Sequence, residues 1–209
     1  MIEISRCVAR VALRDALYER RSTRWHGLGM LQIEVTESVR VHVWHRDLMR
    51  LPVESLRRVH DHRFDIFSVI VAGKIIDERW LVKPDLEDTT GLQGYRIASL
   101  HHIQHAKIQT GNNDSKIIAA SCYVKPLKQV IMNAGDYYMI PRRRFHTSYP
   151  PPDGVAVTVI ERTNFDGEPA RVIDEPNVTE TPSGIHGGWS EEEEKIVLNV
   201  LNEAVKVVL

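Results

Sequence analysis

Apolar and polar positions along the chain follow a helical period at the two ends and a strand period between them. From Ser5 to about Arg20, Val8, Val11, Ala12 and Leu17 recur at helical spacing, with Arg and Glu on the other face. This pattern predicts an amphipathic helix lying against a sheet. Residues 21–30 are polar, contain two glycines and read as a connector. At the far end Ser190 is a good N-cap. Glu191–Glu194 then place negative charge at the positive helix end, and Ile196, Val197, Val200, Leu201, Ala204 and Val205 form an apolar stripe. The four-glutamate run is therefore helix-end chemistry rather than a metal site.

Between these ends the period is two. Residues 32–36 and 40–45 alternate, which sends His42 and His45 to opposite faces as partly exposed strand residues. Residues 51–58 read as a loop or short helix. Phe64–Ala72 and Lys74–Val82 are apolar strands separated only by Gly73, which predicts a hairpin or a sharp bend. Residues 84–94 form a polar loop. A strand over 95–100 is followed by His101, His102 and His105, read as a loop or strand-end cluster. Lys116–Val124 is a strand that Pro126 breaks, and Leu127–Met132 is the next one. Tyr137–Pro141 and Val155–Ile160 are the last two, and 163–189 is irregular. Many short strands with turn signals and no strand–helix alternation predict an all-β antiparallel fold. The expected organisation is an N-terminal helix and connector over 1–30, a β-barrel over 31–162, and an irregular segment with a C-terminal helix over 163–209.

Composition narrows the partners. The formal charge is −1 and the pI about 6.8, so no basic field recruits nucleic acid or an anionic membrane. No apolar run approaches the roughly 20 residues of a membrane span. The two cysteines, Cys7 and Cys122, form no CxxC pair, and the expected setting is cytoplasmic and disulfide-free. The expected partner is a small-molecule substrate, and a homodimer is compatible with this reading.

The candidate chemistry lies in Val59–Trp80. Residues two apart on a strand share a face, so His60 and His62 aim at one point, as metal ligands do. A third ligand has to come from elsewhere, and His146 ends a later stretch that begins at Gly135. His60-x-His62 with Gly73, and Gly135, Pro141 and His146, resemble the two paired motifs of the cupin superfamily in order and in register. Two positions depart from those motifs. Ile66 stands where the family usually has Glu, and Arg143 stands where it has a second Gly. The resemblance implies a double-stranded β-helix (jelly-roll) barrel holding a divalent metal on His60, His62 and His146. Such a three-histidine set is similar to the iron centres of thiol dioxygenases. Fe(II) is the favoured ion, and Zn(II), Ni(II) and Cu(II) also suit three imidazoles.

The cysteine–tyrosine pair of animal cysteine dioxygenase has no counterpart, since Cys122 and Tyr123 are adjacent and precede the second motif. Asp65 has the wrong strand parity for a ligand unless a bulge intervenes. It is expected to support a ligand histidine or Arg63. Arg143 and Arg162 are candidates for clamping an acidic substrate, and Tyr138 and Tyr95 for lining the cavity. The resemblance implies a metal-dependent dioxygenase or other oxygenase acting on a small polar or acidic substrate. Two alternatives stand beside it: a metal-independent, non-enzymatic ligand-binding cupin, and a 2-oxoglutarate-dependent oxygenase. The latter family carries Asp or Glu where this chain has His62.

Overall fold

The computed structural model describes residues 6–19, 23–26, 29–48, 58–84, 91–103, 119–152, 154–176 and 190–208. Within them lie helix α1 (Arg6–Tyr18), strands β1 (Thr23–Trp25), β2 (Leu31–Glu34) and β3 (Val39–Trp44), and a 3₁₀ turn at Arg46–Leu48. Strands β4 (Val59–His60), β5 (Asp65–Pro84), β6 (Arg96–Ile103) and β7 (Ala119–Asn133) follow. The described elements end with β8 (Tyr137–Ile140), β9 (His146–Tyr149), β10 (Ala156–Thr163), β11 (Ala170–Asp174) and helix α2 (Glu191–Val208). Among the described residues no helix is long and apolar enough to cross a membrane. Cys7 and Cys122 are free thiols.

The architecture is mostly β, antiparallel, with the two helices at the ends. One strand organises it. β5 runs for 20 residues, and Gly73 divides it into two halves with different neighbours. The first half pairs with β10 and β8, and through β10 reaches β3, β2 and β1. The second half pairs with β7 on one side and β9 on the other. From β7 the sheet continues through β6, β11 and β4 to β9, and β9 returns to β5, so this part closes on itself in a ring.

Gly73 is thus a bend and not a hairpin. Its φ is +74°, and a Cβ there would lie 1.7 Å from the Val155 carbonyl oxygen. Only glycine both adopts that φ and leaves room for that backbone. Pro126 does not break a strand, because β7 runs through it. Trp80 faces Pro126 while Arg79 faces Lys128, which leaves Leu127 as the extra residue of a bulge. A bulge interrupts the ladder locally, which is where a strand tolerates a residue with no N–H.

Two strands appear where none was expected. β1 lies in the supposed connector, and it buries Trp25. β11 lies in the supposed irregular segment and joins β6 to β4. The α1 stripe also differs: Ala9, Ala12, Leu13 and Ala16 are buried, while Val8 and Val11 are exposed. Three alanines let the helix approach closely, and they join Leu31, Ile33, Val41, Val43, Val157 and Val159 in the main core beneath both helices. The odd-numbered positions of β3 and β10 therefore face the helices, and the even-numbered ones face the ring. Met30, Trp44, Ile70 and Ala156 meet Ile75 and Met132 there, which joins the two halves of the sheet. α2 begins as expected. Ser190 Oγ accepts from Glu193 N at 3.2 Å, and the Glu193 carboxylate accepts from Ser190 N at 2.7 Å, a reciprocal capping box.

Candidate metal centre

Three imidazoles meet at the seam where the ring closes. His60 and His146 are direct cross-strand partners between β4 and β9, and His146 is at the same time opposite Arg79 of β5. β4 is only two residues long, so His62 lies just beyond it. The alternation nevertheless continues. Asp61 turns the other way and is gripped by β11: its carboxylate accepts from Arg171 N at 2.6 Å and Arg171 Nε at 2.7 Å, and its own N–H donates to Arg171 O. Anchoring the middle residue outward commits both neighbours to the inside. The His62 carbonyl also accepts from Arg143 N at 2.9 Å.

One ring nitrogen from each of His60, His62 and His146 lies within 4.8 Å of the others, and no other His, Cys, Asp or Glu among the described residues joins them. His62 Nε2 is 3.1 Å from His146 Nε2. The partners on the far side of the rings assign the tautomers. His60 Nδ1 is 2.9 Å from the Arg58 carbonyl oxygen, which can only accept, so that nitrogen carries the hydrogen and Nε2 keeps its lone pair. His146 Nδ1 is 3.2 Å from Asp77 Oδ1, which also accepts from Ser148 Oγ at 2.9 Å. Burial works to raise the Asp77 carboxyl, but the hydrogen bonds from His146 and Ser148 and the charge of Arg79 hold it below the ordinary carboxylate range. It stays ionised and fixes His146 with Nε2 bare. Two Nε2 atoms at 3.1 Å are satisfied by one proton or by one cation between them.

Burial first, and then neighbouring imidazole charge, push His60 and His62 well below the usual histidine range. Burial lowers His146 as well, against the pull of Asp77. All three are neutral near pH 7, the form that ligates a metal. His62 stacks on Phe64 with centroids 5.2 Å apart. The donor set therefore fits a divalent ion, with His60 and His146 oriented by hydrogen-bonded outer partners and His62 by its stacked ring. Ile66 is buried against Ile140 and Ile160 and brings no carboxylate.

The other candidates are spread more widely. Asp65 contacts neither a ligand histidine nor Arg63. Its oxygens accept from Arg142 N and Asn164 Nδ2, both at 2.7 Å, which ties the start of β5 to the loops after β8 and β10. The guanidinium of Arg143 grips Asp166 through two nitrogens and also donates to the carbonyls of Glu168 and Pro169. That side chain holds loops together. Arg162 donates to the Glu37 carbonyl and lies over the rings of Phe64 and Phe165. Tyr138 lines a cavity of about 610 Å³ together with Asp77, Arg79, Lys128 and Val130, and none of the three histidines lines it. Burial pushes the Tyr138 phenol up. Tyr95 lies beneath Lys83 and Lys125.

His42 is 8% exposed, not a half-exposed strand residue. His45 Nδ1 takes the Asp47 N–H at 3.2 Å. His101 and His102 belong to β6, with His101 fully buried near Asp174. His105 lies outside the described residues, as does nearly all of 51–58. Sequence reasoning missed Asp77. The signal was its strand parity, two residues after the apolar Ile75 and two before Arg79, which puts an acid on the same face as Ile75. Compared with models of protein families and with curated protein sequences, the chain finds no match in either.

Proposed function

We propose that this chain is a cupin-type metal protein in which His60, His62 and His146 hold one divalent ion, Fe(II) favoured, and that it acts as an oxygenase on a small polar or acidic molecule. The observation that carries the reading is the convergence of three neutral imidazoles, two of which, His60 and His146, have their outer nitrogens already committed to Arg58 O and Asp77. Three side chains from two distant stretches meet this way only if the fold builds them a common point. The carboxylate-free set parallels the resemblance to three-histidine oxygenases rather than the more common cupin set with Glu. When bound, such an ion supplies Lewis acidity and, as iron, one-electron chemistry with dioxygen.

The chain's own residues do the rest. Asp77 holds the His146 proton on Nδ1, Arg58 O holds that of His60, and Asp61 keeps the pair of histidines turned inward. Phe64 covers one face of His62 and excludes water from it.

The test is elemental analysis of untagged protein, purified anaerobically and reconstituted in turn with Fe(II), Zn(II), Ni(II) and Cu(II). One equivalent of metal per chain is expected for the native protein, with most of it lost in His60→Ala and His146→Ala variants that keep the native circular dichroism. Oxygen uptake by the iron form, screened with small carboxylic acids and thiols, then tests the oxygenase part. Full metal occupancy in the His146→Ala protein would overturn the centre.

A further inference from the structure

The sheet face turned away from the helices is cationic. Strand register puts Arg24, Gln32, His42 and Thr158 in one row across β1, β2, β3 and β10. Glu34 and Arg40 pair in the next row, and Arg162 stands further along β10. Arg24 and Arg40 both reach Glu34 Oε1, at 3.6 and 2.8 Å. With its carboxamide oxygen turned toward the arginines, Gln32 accepts from Arg24 at 3.1 Å and twice from Arg40, at 2.7 and 2.8 Å. Among the described residues the three guanidiniums share this one close carboxylate, with Glu37 acting on Arg162 from further away. Burial, and then the charges of Arg162 and Arg24, bring Arg40 down to about 9.

Several polar atoms on this face have no partner: Arg24 Nε, Arg162 Nε, His42 Nε2 and Thr158 Oγ1. His42 is 8% exposed and Thr158 is fully buried. Buried polar groups are normally satisfied, and buried charges normally paired. An excess of positive charge with unmet donors is the complement of an oxyanion. The patch also connects to the metal centre. Arg162 lies 5.2 Å from the Phe64 ring, which stacks on His62 at 5.2 Å and packs against Phe165 at 5.1 Å, and His26 and His42 act electrostatically on His62.

We infer that this face is the subsite for the anionic end of the substrate, a small molecule carrying a carboxylate or phosphate. Arg24, Arg162, His42 and Thr158 contact its oxygens, and its remainder lies toward the imidazoles. The placement of that remainder rests on the metal-centre reading, while the anion contacts do not. Arg40, held by Gln32 and Glu34, contributes field rather than contact.

Inorganic phosphate and succinate, titrated separately into the EDTA-stripped full chain by isothermal calorimetry, test this subsite. At least one should bind saturably, and which one identifies the oxyanion. Arg24→Gln and Arg162→Lys should each weaken that binding about tenfold, the scale of one charge-assisted contact. Glu34→Gln, which removes the competing carboxylate, should tighten it. The stripped His146→Ala protein should bind the anion as the native chain does.

Saturation by neither probe would overturn the inference, as would unchanged affinity in both Arg24→Gln and Glu34→Gln. Those two partly exposed positions decide the matter if the Arg162 variant does not fold. Metal content measured on the same preparations separates the two readings. Anion binding without metal supports the subsite and sinks the metal centre, and metal without anion binding does the reverse.

Discussion

His146 presents Nε2 to its neighbours because the acceptor at its other nitrogen is an ionised carboxylate. Removing that acceptor frees the ring to rotate and to change tautomer. Asp77→Ala should therefore lower metal affinity by about 10- to 100-fold, the usual cost of losing an outer partner of a ligating histidine. A chelator-competition titration measures this, and an unchanged dissociation constant would show that His146 is held by packing alone. Arg143 is the other instructive single residue. It occupies the motif position of a glycine and has φ +63°, a left-handed conformation that costs an ordinary residue roughly 1 kcal/mol or more. Its N–H on the His62 carbonyl and its guanidinium on Asp166, Glu168 and Pro169 hold it there. A departure from the motif that looked like a substrate clamp is, in the fold, a loop clamp that keeps the backbone geometry of glycine.

At the scale of elements, β5 shows how a local rule and a tertiary demand meet. Alternation marked its two apolar halves, and the glycine between them marked a change of direction. Whether the chain reversed there or only bent depended on its neighbours, β10 on one side of Gly73 and β7 on the other. Gly73→Ala would drive a methyl into the Val155 carbonyl and force an L-residue to positive φ. A loss of about 3 kcal/mol or more in urea unfolding is expected. A change below about 1 kcal/mol would mean that β10 moves aside freely. β11 escaped notice for a different reason. It is five residues long and starts with Ala170 and Arg171, too few positions for a period to show. Yet it carries Arg171, whose grip on Asp61 aims two of the three histidines.

For the whole molecule, the centre exists because the ring closes. His60 and His62 come from β4 and its continuation, His146 from β9, Asp77 from β5 and Arg171 from β11, so the site assembles only when these strands do. Burial also makes the fold sensitive to acid. His42, His60, His62 and His146 are all pushed below the ordinary histidine value, with burial the largest cause in each. Below about pH 6.5 the unfolded chain takes up protons that the folded chain refuses, so the unfolded state binds more of them. Stability of the metal-free protein should be full above that pH and fall as the pH drops through it. Urea midpoints measured between about pH 8 and pH 5 should decline toward the acid end, and more shallowly in His42→Phe. Flat midpoints would mean that these rings are solvated.

The sequence by itself determined the periodic features: two terminal helices, an antiparallel β middle, and a pair of histidines two residues apart with a third at the end of a later stretch. Each of these follows from local spacing, which the backbone converts directly into a face or an end. Ser190 and its glutamates specified a helix start in the same way, because a cap is satisfied within one turn. Only tertiary structure decided what those faces meet. Arg162 and Arg143 look alike in the sequence, but the fold laid one across the Phe64 and Phe165 rings and turned the other into a loop. His42 looked half-exposed because alternation tells which residues share a face, not whether a second layer covers it. Here the ring covers it, and this buried and incompletely paired face arises from contacts between strands far apart in the chain, which no local pattern encodes.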